Sequence, residues 1–373
     1  MTRIKSWLNE SNYIAPLSPA CEMCAQGSKM VLLITGQCLA KCFYCPLSSR
    51  KLGKDRIFAD EWELDNEKDI DKLIRESEYI EATGAGITGG DPLIVWKRTK
   101  DYINLLKDTF GEDFHIHLYT SGLKNGEYIN DLVSVGLDEI RFHPLPRYWD
   151  KMDDNPISRS IKNSINTDVD VAIEIPTIPD MERQISSLIR WSDTIGIKWV
   201  NLNELEFSET NAEKLKSEDF TVKDDISSAV KDSQELANSI MEQLSKEDLK
   251  IGVHYCSSSF KDGIQLRNRI KRRAQNVVKE HEVITDEGTL LKGVVHSDVF
   301  TPVEINILLL HDFGIDENYV SINKEKNRVE IAPWIIEKIA PELKKKQLEC
   351  YLVEEYPTAD ALEVERIPLP IDL

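Results

Sequence analysis

Short apolar runs alternate with longer amphipathic segments along most of the first 255 residues. Each run of four to seven residues is typical of a buried strand, and each segment with apolar positions three and four apart is typical of a helix. In the segment 66–82, for example, Ile70, Leu73, Ile74 and Ile80 share one helical face. The pattern predicts strands at 30–35, 85–88, 114–119, 139–142, 169–175 and 199–202, and helices at 66–82, 96–109, 127–135, 158–165 and 181–195.

Strict alternation of strands and helices predicts a parallel sheet that closes, or partly closes, into a barrel. A long helix at 225–244 and a further strand at 250–255 follow the six predicted strands. From about residue 282 the pattern changes to short strands, such as 329–331, mixed with helices at 302–311 and 333–339. We therefore expect an α/β fold with three parts: a leader (1–28), a core (29–257) and a small C-terminal α+β domain (258–373).

Composition narrows the function. The 373-residue chain carries a formal net charge of −19, which favours solubility and argues against broad nucleic-acid binding. No opening apolar segment with a cleavage site and no run long enough to span a bilayer is evident, so we expect a cytoplasmic enzyme. The seven cysteines are odd in number and concentrated near the beginning of the chain, which favours metal ligation over a disulfide framework.

Three of these cysteines, Cys38, Cys42 and Cys45, fall within eight residues, directly after the first predicted strand. Thiolates this close together can converge on one soft metal centre, either zinc or an iron–sulfur cluster. A structural zinc site usually has four ligands in two paired knuckles, and a disulfide does not need three thiols. Three ligands suit a four-iron cluster with one iron left open for a non-protein ligand, so the spacing favours iron–sulfur, with zinc or a redox pair as alternatives.

The C-x3-C-x2-C pattern, with Tyr44 before its last cysteine, resembles the radical S-adenosylmethionine (radical SAM) superfamily. A second motif supports the resemblance, because Gly89, Gly90, Asp91 and Pro92 follow the next predicted strand. Within the superfamily the layout is similar to archaeal proteins related to pyruvate formate-lyase activating enzyme. The resemblance implies a partial (β/α)6 barrel and an enzyme.

The resemblance also implies cofactors and roles. Cys38, Cys42 and Cys45 would hold a [4Fe-4S] cluster whose fourth iron is chelated by S-adenosylmethionine (SAM). An electron from a ferredoxin-like or flavodoxin-like donor would cleave SAM, and the 5′-deoxyadenosyl radical would abstract hydrogen from the substrate. The strand end at 89–91 would contact the methionyl ammonium, and Tyr44 would lie near the adenine.

Polar residues at the other strand ends are further candidates for this cavity, because the carboxyl ends of parallel strands meet at one edge. Ser121 ends the third predicted strand and resembles the polar position that often holds the sugar or carboxylate of SAM in the superfamily. The remaining candidates, some of which would instead only cap the following helix, are Arg141, His143, Glu174, Asn201, Asn203 and Glu204. No residue is assigned a catalytic role.

Cys21 and Cys24 form a C-x2-C knuckle ahead of the first strand, and Cys256 follows the strand at 250–255. Together they could ligate a second metal centre, either an auxiliary iron–sulfur cluster or a zinc ion. The alternative is a free pair of thiols with one incidental buried cysteine. The knuckle and Cys256 begin from opposite ends of a barrel, so a shared centre requires the leader to fold over the sheet.

The substrate is left open. A small metabolite or cofactor precursor is the first expectation, because the core is full length. RNA modification is a second possibility, carried by the basic run Lys261, Arg267, Arg269, Lys271, Arg272 and Arg273, although such runs are more often solvated helix faces. Activation of a glycyl-radical enzyme, which needs a large protein partner, is a third, and a metal-binding module without catalytic activity is the last.

Overall fold

The computed structural model describes residues 4–153, 155–225 and 227–370. The chain forms two compact units. The first comprises the residues up to Glu78 together with Ala82–Leu266, and the second comprises Tyr79–Glu81 together with the residues from Arg267 onward. The leader, expected as a separate segment, lies within the first unit.

The first unit contains eleven strands and nine helices within the described ranges. The strands are β1 (Lys5–Ser6), β2 (Asn12–Ile14), β3 (Lys29–Thr35), β4 (Ile57–Ala59), β5 (Trp62–Leu64), β6 (Gly84–Gly89), β7 (His115–Thr120), β8 (Glu139–Phe142), β9 (Asp170–Thr177), β10 (Trp199–Glu204) and β11 (Gly252–Cys256). The helices are α1 (Pro19–Ala25), α2 (Ile70–Tyr79), α3 (Trp96–Phe110), α4 (Ile129–Val133), α5 (Pro156–Ile165), α6 (Glu182–Ile195), α7 (Ala212–Ser217), α8 (Ser233–Leu244) and α9 (Ser258–Phe260), which continues as a π-helical turn, Lys261–Leu266.

These strands form one open sheet in the order β1-β2-β11-β10-β9-β8-β7-β6-β3-β4-β5. Its seven central strands, from β11 to β3, are parallel, which confirms the predicted fold class and adds a seventh parallel strand to the expected six. The leader strand β2 pairs antiparallel with β11, so the first residues of the chain extend the sheet at that edge. Strands of two or three residues are too short to show alternation, and the sequence therefore missed them.

Two predicted helices begin later than the sequence pattern indicates. Helix α2 begins at Ile70 because the side chain of Asn66 accepts from the amide of Lys68 and that of Asp69 accepts from the amide of Asp65, which makes a turn. The predicted helix 225–244 begins only at Ser233, after Asp232 adopts a left-handed conformation with φ of 66°. No helix in the described ranges is long and apolar enough to cross a membrane.

The second unit pairs helices with an antiparallel sheet, as the predicted small α+β domain requires. Its strands are β12 (Val283–Ile284), β13 (Leu290–His296), β14 (Val320–Asn323), β15 (Arg328–Ile331), β16 (Glu349–Glu355) and β17 (Glu363–Leu369), and its helices are α10 (Arg267–Val277), α11 (Pro302–His311) and α12 (Pro333–Lys345). The sheet order is β14-β15-β13-β16-β17, with β12 on β13. Alternate residues of its strands, such as Val295, Val329 and Cys350, form an apolar core with α11 and α12.

The other face of this sheet carries a buried network of charged side chains. Lys292 Nζ lies 2.6 Å from Glu282 and 3.1 Å from Glu355, and Arg328 lies 2.6 Å from Glu330. His281, Glu282 and Glu330 are the only three metal-type ligands among the described residues that lie within 4.8 Å of one another. Because the Lys292 ammonium already contacts both carboxylates of that group, we interpret the network as a set of internal ion pairs.

This network makes the second unit sensitive to acid. Burial alone would raise the pKa of Glu330, but His281, Lys292 and Arg328 hold it well below its usual value. A carboxylate whose pKa is lower in the folded state than in the unfolded state stabilises the folded state. That stabilisation is complete above the unfolded pKa, near 4.3, and is lost as the pH falls below it. Protection of β15 and β16 against hydrogen exchange, corrected for the intrinsic exchange rate, should therefore fall as the pH drops below about 4.3.

Replacing Glu330→Gln should lower that protection at neutral pH by roughly 3–5 kcal/mol, because two buried cations lose a charged partner. The further fall of protection below about pH 4.3 should be smaller in Glu330→Gln than in the wild type, because the titrating carboxyl group is gone. The exposed Glu365→Gln on β17 is the control and should change neither. Hydrogen-exchange mass spectrometry is the appropriate measurement because it reports each unit locally. An unchanged loss of protection at low pH in Glu330→Gln would contradict the role of Glu330 in the acid sensitivity.

Candidate functional site

The loop that carries Cys38, Cys42 and Cys45 starts where the backbones of two strands approach each other closely. Gly90 N–H donates to the carbonyl of Thr35 at 2.7 Å, and Asp91 N–H donates to that of Gln37 at 2.8 Å. A Cβ at Gly90 would lie 2.1 Å from the Gln37 oxygen, and one at Gly89 would lie 2.1 Å from the Thr35 oxygen. The two glycines therefore allow the strand end to hold the beginning of the cysteine loop.

The chain returns from this loop through residues 46–56, which are held at the carboxyl end of β3. Arg98 Nη1 and Nη2 bind the two oxygens of Asp55 at 2.7 and 3.0 Å, and Nη1 also donates to the carbonyl of Ile34 at 3.2 Å. Hydrogen bonds from Arg98 and Thr35 lower the pKa of Asp55 despite its partial burial. Both ends of the excursion are thus fixed to β3.

Asp91 joins the second strand end to the third. Its carboxylate is buried and accepts from the Thr120 hydroxyl at 2.8 Å, from the Leu93 amide at 3.1 Å, and from both the amide and the hydroxyl of Ser121. Burial raises the pKa of Asp91, while these four donors act in the opposite direction. The structure therefore shows Asp91 and Ser121 hydrogen-bonded to each other. Their expected contacts with SAM remain predictions.

Tyr44 anchors the far side of the cysteine loop. Its hydroxyl lies 2.9 Å from Nε2 of His143, and Nδ1 of His143 lies 2.7 Å from the Glu174 carbonyl. That carbonyl can only accept, so Nδ1 carries the proton and the Tyr44 hydroxyl donates to Nε2. Burial lowers the pKa of His143, which keeps the ring neutral. The proximity of Tyr44 to adenine remains a prediction.

Two further residues, which the sequence analysis did not single out, hold the loop from the segment after β10. Asn211 Nδ2 donates to the Tyr44 carbonyl at 3.0 Å, and the Thr210 hydroxyl donates to the Leu47 carbonyl at 2.8 Å. They lie more than 160 residues from their partners, and no local pattern marks them. Backbone carbonyls are held in both cases, so the loop conformation is fixed whatever its side chains bind.

The donor set of this loop fits an iron–sulfur cluster. All three thiols are free and partly buried, and burial raises the pKa of Cys42 to about 11 and that of Cys38 as well. Three thiols on one loop match the three protein ligands of a four-iron cluster, whereas a structural zinc ion usually has four.

Glu174 and Asn203 lie on the same face of the sheet and contact each other, and their role in cofactor binding remains a prediction. Asn203 Nδ2 donates to Glu174 at 2.9 Å, and Asn201 Nδ2 donates to its other oxygen at 3.0 Å. Arg141 Nη1 binds that second oxygen at 2.7 Å. Although burial raises it, the pKa of Glu174 is held below its usual range by Arg141 and the two amides.

Arg141 also connects this group to the leader. Its Nε binds the buried Glu139 at 2.6 Å, and its Nη2 donates to the Ser18 hydroxyl at 3.0 Å and approaches the sulfur of Cys21 at 3.5 Å. Helix α1 is therefore packed against the face of the sheet that carries the site. Cys256, at the end of β11, lies opposite Asn203 in the strand register.

Much of the basic run is paired internally. Lys261 binds Glu206 at 2.9 Å, Arg267 binds Glu287 at 2.9 Å and Arg272 binds Glu81 at 3.3 Å. Arg269 and Arg273 have partners as well. These pairs reduce the charge available to RNA phosphates and favour the interpretation of a structural helix.

Parts of the sequence match known protein families and one curated protein. The family model described as "Radical SAM superfamily" matches residues 32–144, and a "Domain of unknown function (DUF8061)" matches residues 288–369. A protein of Methanocaldococcus jannaschii named "Putative glycyl-radical enzyme activating enzyme" is 39% identical over 98% of this chain and 96% of its own length.

Solved structures give more distant matches. The crystal structure of Streptococcus suis SuiB bound to S-adenosylmethionine is 10% identical, with a TM-score of 0.42 over 62% of this chain and 50% of that one. The radical S-adenosylmethionine methyltransferase TsrM from Kitasatospora setae, with cobalamin and a [4Fe-4S] cluster bound, is also 10% identical, with a TM-score of 0.36 over 71% of this chain and 56% of that one. This chain spans about half the length of these structures.

Single replacement of Cys38, Cys42 or Cys45 by Ala should abolish the [4Fe-4S] centre of this loop after anaerobic reconstitution, because each removes one of three protein ligands. Iron analysis and electron paramagnetic resonance (EPR) spectroscopy with added SAM are the measurements. Cys350→Ala, at a buried cysteine of the second unit, is the matched control and should keep the centre. A SAM-responsive cluster in any of the three variants would contradict the ligand assignment.

Gly90→Ala should also lose this iron, although it touches no ligand. The added Cβ would meet the Gln37 carbonyl at 2.1 Å, so the cysteine loop must move, and overpacking of this kind costs roughly 1–3 kcal/mol. Gly53→Ala is the control, since its Cβ meets no atom within 4 Å and costs only the strain of a φ of 73°. We expect both variants to be folded by circular dichroism and iron to be lost only in Gly90→Ala, and iron retained in both variants would refute the positioning role.

Proposed function

Since this chain belongs to the radical SAM superfamily, we propose that it activates a glycyl-radical enzyme by removing a hydrogen atom from a glycine of that partner protein. The family supplies the cofactors, a [4Fe-4S] cluster and SAM. The proposal adds a substrate class to that chemistry. It replaces the small metabolite that the sequence alone favoured.

The observation that carries the proposal is the match to the M. jannaschii protein, which extends over nearly the whole of both chains at 39% identity. The matched region includes the leader and the second unit as well as the radical SAM core. A relative that shares only the core would support the chemistry alone. Shared accessory parts support a shared kind of substrate, because a common core fold by itself does not determine the function.

The residues of the site have separate tasks in this proposal. Cys38, Cys42 and Cys45 would hold the cluster, and the backbone contacts of Gly89 and Gly90 would fix its distance from the strand ends. When bound, the reduced cluster supplies the electron that cleaves SAM to a hydrogen-abstracting radical. The protein supplies orientation and keeps solvent from the reacting atoms.

Glu174 and Asn203 are the candidates for direct contact with SAM or with the substrate backbone. Both remain partly accessible, whereas Asn201 and Arg141 behind them are buried. Arg141 and Asn201 hold the carboxylate of Glu174 charged and in place, so it can accept a hydrogen bond from an ammonium, a hydroxyl or a peptide N–H.

RNA and small molecules are the competing substrates. The internal ion pairs of the basic run weaken the case for RNA, and the name of the relative points to a protein. All three classes can be separated by following the abstracted hydrogen, because a glycine, a nucleoside and a metabolite can be labelled differently.

The test uses cells of the source organism grown with glycine deuterated at its α carbon. Their anaerobic extract is separated into protein, RNA and small-molecule fractions, and each fraction is added to the reconstituted enzyme with SAM and dithionite. We expect deuterium in the 5′-deoxyadenosine formed with the protein fraction, measured by mass spectrometry. A glycine-centred radical should appear in the same sample by EPR.

Protease treatment of the protein fraction should remove the label, and Cys42→Ala enzyme should form no 5′-deoxyadenosine with any fraction. Label that arises only from the filtrate or from the RNA fraction would overturn the proposal. So would SAM cleavage without a protein radical when the protein fraction is saturating.

A further inference from the structure

We propose that Cys21, Cys24 and Cys256 hold a second iron–sulfur cluster, separate from the one on residues 38–45. The two cysteines of the knuckle are three residues apart on α1, a spacing that places them on one side of a helix. Cys256 ends β11 on the strand face that α1 covers. The leader thus removes the obstacle seen in the sequence, where the two ligand groups begin from opposite ends of the sheet.

Contacts of Cys21 fix how the knuckle meets the sheet. Its sulfur lies 3.3 Å from Nδ2 of Asn201, in the middle of β10. Asn203, two residues further along the same strand face, is the register partner of Cys256. Cys21 therefore contacts β10 two residues before the register position of Cys256, on the same face of the sheet.

Two of the sulfur atoms also have hydrogen-bond donors of the kind that an anionic cluster needs. Asn201 and the guanidinium of Arg141 point N–H groups at Cys21, and Gln265 Nε2 lies 3.8 Å from the sulfur of Cys256. Hydrogen bonds to sulfur and nearby positive charge are the features that stabilise thiolate-bound clusters.

His254 gives an independent indication that a group belongs here. It pairs with Asn201 in the strand register and is buried, yet neither ring nitrogen has a hydrogen-bond partner within the described ranges. Burial of an unpaired polar group is unfavourable, so such groups normally contact a ligand, an ion or water.

The number of thiols favours a cluster over zinc. A structural zinc ion usually has four protein ligands, and Cys21, Cys24 and Cys256 supply three. Three thiolates can hold a four-iron cluster, one on each of three irons.

The test separates this centre from the first one. A Cys38→Ser/Cys42→Ser/Cys45→Ser protein, reconstituted anaerobically, should still bind about four irons per chain, and the wild type about eight. The reduced triple variant should show an EPR signal that does not respond to SAM. Adding Cys21→Ser/Cys24→Ser should remove that iron and signal, whereas adding Cys350→Ser should not.

Cys256→Ser in the triple-variant background guards against a leader that simply fails to fold, and circular dichroism checks each protein. It should lose the second signal while the folded spectrum is kept. An iron-free triple variant, one zinc per chain, or a Cys21–Cys24 disulfide found by mass would each overturn the proposal. Because iron content is the readout, failure here is independent of the glycine-labelling result.

Discussion

The approach of the β6 end to the β3 end is the constraint on which the rest of the site depends. Gly89 and Gly90 have no side chains, so their backbone contacts Thr35 and Gln37 directly and determines where the cysteine loop begins. A helix on the sheet can shift by a fraction of an ångström without consequence, but a Cβ at this point cannot be accommodated. The motif that is predicted to contact SAM is therefore also part of the framework of the cysteine loop.

Part of the site could be predicted from the sequence because its residues are close together along the chain. The predicted ligands Cys38, Cys42 and Cys45, and the glycines, are local patterns within a few residues, and their spacing carries chemical meaning. Tyr44 with His143, Ser18 with Arg141, and Thr210 with the cysteine loop join residues about 100 to 165 positions apart. Nothing in a single sequence marks such pairs, because each partner is an ordinary polar residue until the fold brings the two together.

The fold shows the same division between local and distant information. The buried strand β3 has a continuous apolar run, β8 alternates charged and apolar residues, and both were predicted within a residue or two of their observed ends. The leader strand β2 depends on pairing with β11, and the late start of α8 depends on one left-handed residue, Asp232. The knuckle of Cys21 and Cys24 was visible in the sequence, but its position against Arg141 required the pairing of the leader with β11.

Polar residues on one face of the parallel sheet give the final constraint. In an ordinary parallel barrel the interior is filled by branched apolar side chains. Here the corresponding face carries Glu139, Arg141, Glu174, Asn201 and His254. Arg141 balances two of these carboxylates, and removing one partner of a buried ion pair costs roughly 3–5 kcal/mol. Apolar side chains would stabilise this face without buried charges. The polar face therefore favours a binding role over a purely structural one.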